Sequence, residues 1–163
     1  MLFHTVKLLF EYTAPTRSAS VACCIINDYV IATAHSDGMV HMWKTGHPEP
    51  THAYRAHETS CTSLVYHGNS IISGGQDGHV MMFDAVKNTV QRILNFKSPV
   101  TQLLLYKHTL LVCLRGKPIR PIDLTSNALQ PKIMVVTTDE MCKFILVTGL
   151  HIRVHCLVMF CHV

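Results

Sequence analysis

CTSLVYHGNSIISGGQDGHVMMFD, residues 61–84, lies over VACCIINDYVIATAHSDGMVHMWK, residues 21–44, without a gap. Asp37 then meets Asp77, Gly38 meets Gly78, Val40 meets Val80 and Trp43 meets Phe83, each at an offset of 40. A third copy, VTQLLLYKHTLLVCLRGKPIRPID, residues 100–123, follows the second at an offset of 39. It keeps Ile119, Ile122 and Asp123 but holds Gly116-Lys117 where Asp-Gly stood. A period near 40 residues marks a chain built of stacked supersecondary units.

Each unit reads as a run of short strands. In the second, Thr62–Tyr66 is one strand, His67-Gly68-Asn69 a turn and Ser70–Gly74 the next strand. Asp77-Gly78 makes a second tight turn, because Gly accepts the positive φ such hairpins demand. His79–Phe83 is the third strand and Val90–Leu94 the fourth. Four antiparallel strands per 40 residues is the pattern of a propeller blade.

These residues resemble the WD-repeat family, whose signature runs from a Gly-His or Ala-His pair to a Trp-Asp or similar pair. Here Ala56-His57 leads to Phe83-Asp84, with 27 positions from His57 to Asp84. SDGMVHMW and SGGQDGHVMMFD carry the likeness most strongly. The fold expected is therefore all-β: a partial β-propeller of about three to four WD-repeat blades, each a four-stranded antiparallel sheet, not closed. Residues 1–20 are read as the last strand of a preceding blade (around Lys7–Tyr12) and a linker. Residues 21–60 are the first blade, 61–99 the second, 100–127 a degenerate third. Residues 128–163 are an irregular apolar tail or a partial fourth blade, with Lys132–Val136, Lys143–Thr148 and Ile152–Met159 as its strands. About 3.5 blades fit, whereas closed propellers typically use four to eight. An open fan leaves strand edges and core faces uncovered. The expectation is a fragment, an isoform, or a half completed by another chain or by missing blades.

Three departures stand out. Arg17 falls where the first unit's paired His belongs, Phe83 replaces Trp, and the third unit has lost the turn Asp. A narrower resemblance comes from the order of motifs: an Asp-Gly unit ending in Trp, then AHE, then SGGQDG, then a unit with Arg at its turn. This is similar to echinoderm microtubule-associated-like proteins, and implies tubulin, with its acidic tails, as a partner for the basic third unit.

Composition agrees with a packed domain: 48% of the 163 residues are apolar and 15% charged, far from a disordered chain. The net charge of +4 is unevenly spread. Lys87, Arg92, Lys97, Lys107, Arg115, Lys117 and Arg120 fall between residues 85 and 122, a stretch with no acid. This suits either a solvated face or an anionic partner. Seven cysteines without a CxxC pair point to free thiols in a reducing compartment. His4, Lys7 and Glu11 interrupt the apolar N-terminus, so it makes a poor signal-peptide core. Phe144–Val163 is long enough to cross a bilayer, yet it contains Arg153 and three histidines that would be costly to desolvate. No membrane association is expected, and the location expected is cytoplasmic, with the nucleus or the cytoskeleton as alternatives.

Ser73, His57 and Asp77 imitate a hydrolase triad, which would need an exposed Ser hydroxyl beside oxyanion donors. The family resemblance implies a structural role instead, with the turn Asp and the strand Ser both bonded to His. Thr33 and Asp37 keep two members of that network in the first unit, with Trp43 as an indole donor. His151, His155, Cys156, Cys161 and His162 invite a metal reading, but no upstream CxxC completes a ligand set. No metal or other cofactor is expected, since nothing resembles a P-loop or a Rossmann glycine fingerprint. RGKPIRP, Arg115–Pro121, is the densest basic motif, held extended by two prolines. It suits phosphate, RNA or an acidic protein surface as an alternative partner, although it lacks the interleaved aromatics that nucleic-acid binding favours. What the resemblance implies is a non-enzymatic scaffold that binds other proteins through its loops. The candidate contact residues are Ser36, His47, Glu49, His52, Glu58, Gln76 and Lys97, with Arg115, Lys117 and Arg120 for an acidic partner.

Overall fold

A computed structural model describes residues 18–125 and the backbone of residues 132–133. Within them every regular element is a strand, and the strands form three four-stranded antiparallel sheets. The first holds β1 (Ser20–Asn27), β2 (Val30–His35), β3 (Met39–Lys44) and β4 (His52–Arg55). The second holds β5 (Cys61–His67), β6 (Ser70–Gly75), β7 (His79–Asp84) and β8 (Thr89–Asn95). β9 (Val100–Tyr106), β10 (Thr109–Leu114), β11 (Arg120–Asp123) and β12 (Lys132–Ile133) make the third. Neighbours in sequence are neighbours in each sheet, the meander of a propeller blade. Lys132–Ile133 pairs with β11 and so supplies the outer strand of the third sheet. The sheets do not close into a ring among the described residues. The expected strand around Lys7–Tyr12, Arg17, and the segments beyond Ile133 lie outside those residues.

Local chemistry sets the hairpins. Gly38 and Gly78 have φ of 83° and 79°, and their N–H groups donate to His35 O and Gly75 O, each at 3.1 Å. That is a type I turn followed by a left-handed residue, which strongly favours Gly. A Cβ on Gly38 would also lie 2.2 Å from His57 O, so both conformation and space exclude a side chain. In the third sheet the glycine comes one residue earlier: Gly116 has φ of 65° and Lys117 N donates to Leu114 O at 3.3 Å. Positive φ at the third turn residue is the type II signature. The third unit therefore replaces the Asp-Gly turn with another of equal length.

Middle strands are buried on both faces, and alternate residues serve different seams. Ile71 and Phe83 join Ala32, Ala34, Val40 and Leu64 in the cluster between the first two sheets. Ile72, Val80 and Met82 join Val100, Leu103, Leu110, Val112 and Ile122 between the second and third. Each large aliphatic side chain buried in this way is worth about 1.5–3 kcal/mol. The second seam also has a polar tie. Thr62 Oγ1 lies 2.9 Å from Gly74 O and 2.8 Å from Val100 O, and Leu103 N donates to Ser63 Oγ at 3.0 Å.

One strand departs from the sequence offset. Ala22 faces Ala34 whereas Ser63 faces Gly74, so β1 runs 41 residues behind β5 while β2 runs 40 behind β6. The extra residue, Ile26, sits in a bulge between Ile25 and Asn27. A slip of one residue exchanges the faces of a strand. Ala22 and Cys24 consequently pack on the seam with the second sheet, while Val21, Cys23 and Ile25 are exposed, Ile25 by 76%.

Candidate functional site: the loop-and-turn rim

The meander places the β2–β3, β6–β7 and β10–β11 turns at one end of the sheets, together with the β4–β5 and β8–β9 loops. Backbone hydrogen bonds stitch these segments into a continuous rim. Each turn donates to the loop before it: Ser36 N to Ala19 O at 2.9 Å, Gln76 N to Ser60 O at 3.0 Å and Arg115 N to Pro99 O at 3.0 Å. The following loop donates back: His57 N to Gly38 O at 3.1 Å and Phe96 N to Gly78 O at 2.8 Å. Loop backbone fixed in this way presents its side chains with little ordering left to lose on binding.

His57, Ser73 and Asp77 meet within this rim. His57 Nδ1 donates to the Asp77 carboxylate, with both oxygens at 3.1 Å. Its Nε2 lies 3.0 Å from Ser73 Oγ and accepts the hydroxyl proton in that tautomer. Asp77 Oδ1 also accepts from His79 N at 3.0 Å. Burial pushes the His57 pKa down, and this outweighs the upward pull of Asp77, which favours the neutral ring. Burial pulls the Asp77 carboxyl up. The His79 amide, and after it His57, overcome that effect and hold it below its ordinary value. Ser73 is only 1% exposed and His57 2%. A nucleophile must reach its substrate, and this hydroxyl is buried against the His57 ring. The arrangement satisfies buried polar groups and ties a loop to a turn.

Gly75 makes room for it: a Cβ there would lie 2.3 Å from His57 Nδ1 and 2.5 Å from Asp77 Oδ1. In the first sheet the corresponding position is His35, and its imidazole fills the space from within the strand. Thr33 Oγ1 lies 2.9 Å from His35 Nε2 and accepts from Trp43 Nε1 at 2.7 Å. The donor role read for Trp43 is present, but the histidine partner is one that sequence reasoning did not single out. Its signal was a His aligned with Gly75. Asp37 Oδ1 accepts from Met39 N at 3.1 Å. In the third sheet every member has changed together. Phe96, Val112 and Gly116 stand where His57, Ser73 and Asp77 do, and Leu114 where Gly75 does. Val112, Leu114 and Phe96 belong to the apolar cluster of that seam.

The contact residues read from sequence do not form one surface. Ser36, Glu58, Gln76, Lys97, Arg115 and Lys117 are all exposed on the stitched rim. Ser36, Gln76 and Arg115 occupy equivalent turn positions; Glu58 and Lys97 occupy equivalent loop positions. His47 and Glu49 lie on the β3–β4 connection at the opposite end. His52, at the start of β4, is half-buried and stacks on Phe83 with ring centroids 5.3 Å apart. Arg120 is exposed on β11. Among the described residues, no group of three or more potential ligands could hold a metal, and no helix is long and apolar enough to cross a membrane. The His151–His162 cluster and Phe144–Val163 lie outside those residues.

Three repeated four-stranded meanders packed face to face are blades, and the chain that carries them is a β-propeller protein. A family model described as "Vps42 beta-propeller" (Beta-prop_Vps41) matches residues 11–111. The chain belongs to this Vps41-type β-propeller family. Among solved structures it is similar to the computationally designed Ika4 protein, with a TM-score of 0.66 and 17% identity over 82% of this chain and 80% of that one. It is similar also to the designed Ika8 protein, with a TM-score of 0.64 and 17% identity, covering 76% of this chain but 38% of that one. At such identities the likeness concerns the fold alone. No curated protein matches the chain.

Proposed function

We propose that this chain is a non-enzymatic interaction scaffold, a WD-repeat propeller segment that gathers other proteins through its stitched rim. The observation that carries the reading is the rim itself: equivalent exposed positions on successive blades, held by backbone bonds from turn to loop. The triad-like residues act beneath it as a brace, with the Ser73 hydroxyl buried. Work in the reducing cytoplasm is part of the same proposal, supported by the free thiols of Cys23, Cys24, Cys61 and Cys113.

The test is capture of the tagged chain from eukaryotic cells at low and high salt, with stoichiometric partners identified by mass spectrometry. A defined partner supports the scaffold; chaperones alone overturn it. A finer reading, an echinoderm microtubule-associated-like protein that binds acidic tubulin tails, draws on the order of motifs and on the basic third blade. Co-sedimentation with microtubules tests it directly, and a chain left wholly in the supernatant rejects it.

A further inference from the structure

The charge on the stitched rim changes sign between equivalent positions. The loop into the second blade carries Glu58, and the corresponding loop residue into the third is Lys97. The turn position that is Ser36 and then Gln76 becomes Arg115, with Lys117 two residues on. Lys97, Arg115 and Lys117 are exposed and make no ion pair among the described residues. The stretch from residue 85 to 122 supplies no acid to neutralise them. The acid near this seam, Asp77, already accepts from His57 and the His79 amide. Arg115 N bonds to Pro99 O, and Pro118 follows Lys117, so the backbone bearing these cations is held. Like-signed, unneutralised charges carried on tied backbone segments are a binding field and not a set of paired surface ions.

We propose that the rim at the seam of the second and third blades docks an acidic, extended peptide segment of a protein partner, with Lys97, Arg115 and Lys117 as its anchors. This rests on the scaffold reading and names the chemistry of what the scaffold holds. A peptide suits the seam better than nucleic acid for two reasons. Glu58 stands at the neighbouring seam of the same rim and would repel a continuing phosphate backbone. Bases also need aromatic platforms. The exposed aromatic among the large exposed hydrophobics described is Tyr29, which sits on the β1–β2 turn at the other end. Glu58 sets a polarity too: a peptide acidic at one end and neutral or basic at the other fits the rim in one direction.

The experiment uses the full chain and a fluorescein-labelled peptide of about ten residues alternating Glu and Ser, which at roughly 3.3 Å per residue spans neighbouring blade tips. A Lys/Ser peptide and an oligothymidylate of similar length are the comparisons, all read by fluorescence anisotropy. The acidic peptide is expected to bind and the basic one not. The K97E/R115E/K117E chain, its fold verified by circular dichroism and Trp43 fluorescence, is expected to bind about ten-fold more weakly or worse. Glu58→Lys is expected to lose nothing. Equal binding by the triply reversed chain, oligothymidylate binding as tight as the peptide, or no peptide binding at all each overturns the proposal. Cellular capture with both chains separates the two levels. A partner kept by both, without acidic-peptide binding, removes this proposal and leaves the scaffold standing. No stoichiometric partner on either chain removes the scaffold itself.

Discussion

Replacing Gly75 by Ala tests the brace beneath the rim, because two physical effects there have opposite signs. Gly75 does not have positive φ, so a strand Ala would ordinarily stabilise the fold by about 0.4–1 kcal/mol through the unfolded chain. The added Cβ would lie 2.3 Å from His57 Nδ1 and 2.6 Å from its Cγ. The ring is buried and held from both sides, so it must leave its bonds to Asp77 and Ser73. A charge-assisted hydrogen bond contributes about 1.5–3 kcal/mol and a neutral one about 0.5–1.5 kcal/mol. Offset by the backbone gain, the net loss is about 1–4 kcal/mol. Urea denaturation, followed by the fluorescence of the single tryptophan, Trp43, reads it as a lower midpoint at unchanged slope. In a His57→Ala background the contact with the imidazole is gone and the one with Asp77 Oδ1 is left, so Gly75→Ala should cost less than in the parent, by a coupling of about 1 kcal/mol or more. The same destabilisation in both backgrounds would refute the reasoning.

Acidification should weaken the fold. Burial lowers the pKa of His57, His41 and His67 below the ordinary 6.5, so the unfolded chain binds more protons. Their contribution is complete above 6.5 and is lost as pH falls from there through the folded values; thermal melts at several pH values check the direction. Thr62→Val removes the hydroxyl between Gly74 O and Val100 O, an expected loss of about 1 kcal/mol in denaturant titrations. Trp43→Phe keeps a buried ring but abolishes the donor to Thr33, with an expected cost of about 1–2 kcal/mol in denaturant titrations followed by circular dichroism. Thiol labelling mapped by peptide mass should find Cys23 fast. Cys24 and Cys61, pushed up by burial to about 11 and about 12, should label slowly; equal rates would contradict the β1 register.

Sequence exposed what depends on one special residue. The Asp-Gly turns, the strands around them and the meeting of His57, Ser73 and Asp77 were legible because Gly, Asp and His stand at fixed spacings. The slip of β1 was not. VACCII alternates no polar residue that would mark a face, so registers 40 and 41 read alike. Nor was the replacement of the loop histidine by His35, since its meaning depends on Gly75 being the residue that must vacate space. The candidate contact residues were picked as loop residues, and the sidedness of the meander then divided them. Strand parity would have shown that His47 and Glu49 face away from Ser36 and Gln76.

The conversion of His57, Ser73, Asp77 and Gly75 into Phe96, Val112, Gly116 and Leu114 gives the two joints of this fan different chemistry at the same four positions. At the first, an imidazole held between a carboxylate and a hydroxyl loosens as protons rise. At the second, the aliphatic and aromatic side chains take up no proton, and the titrating group on that seam is His67, packed against His108. Acid therefore acts beneath the rim at one joint and at the opposite end of the sheets at the other.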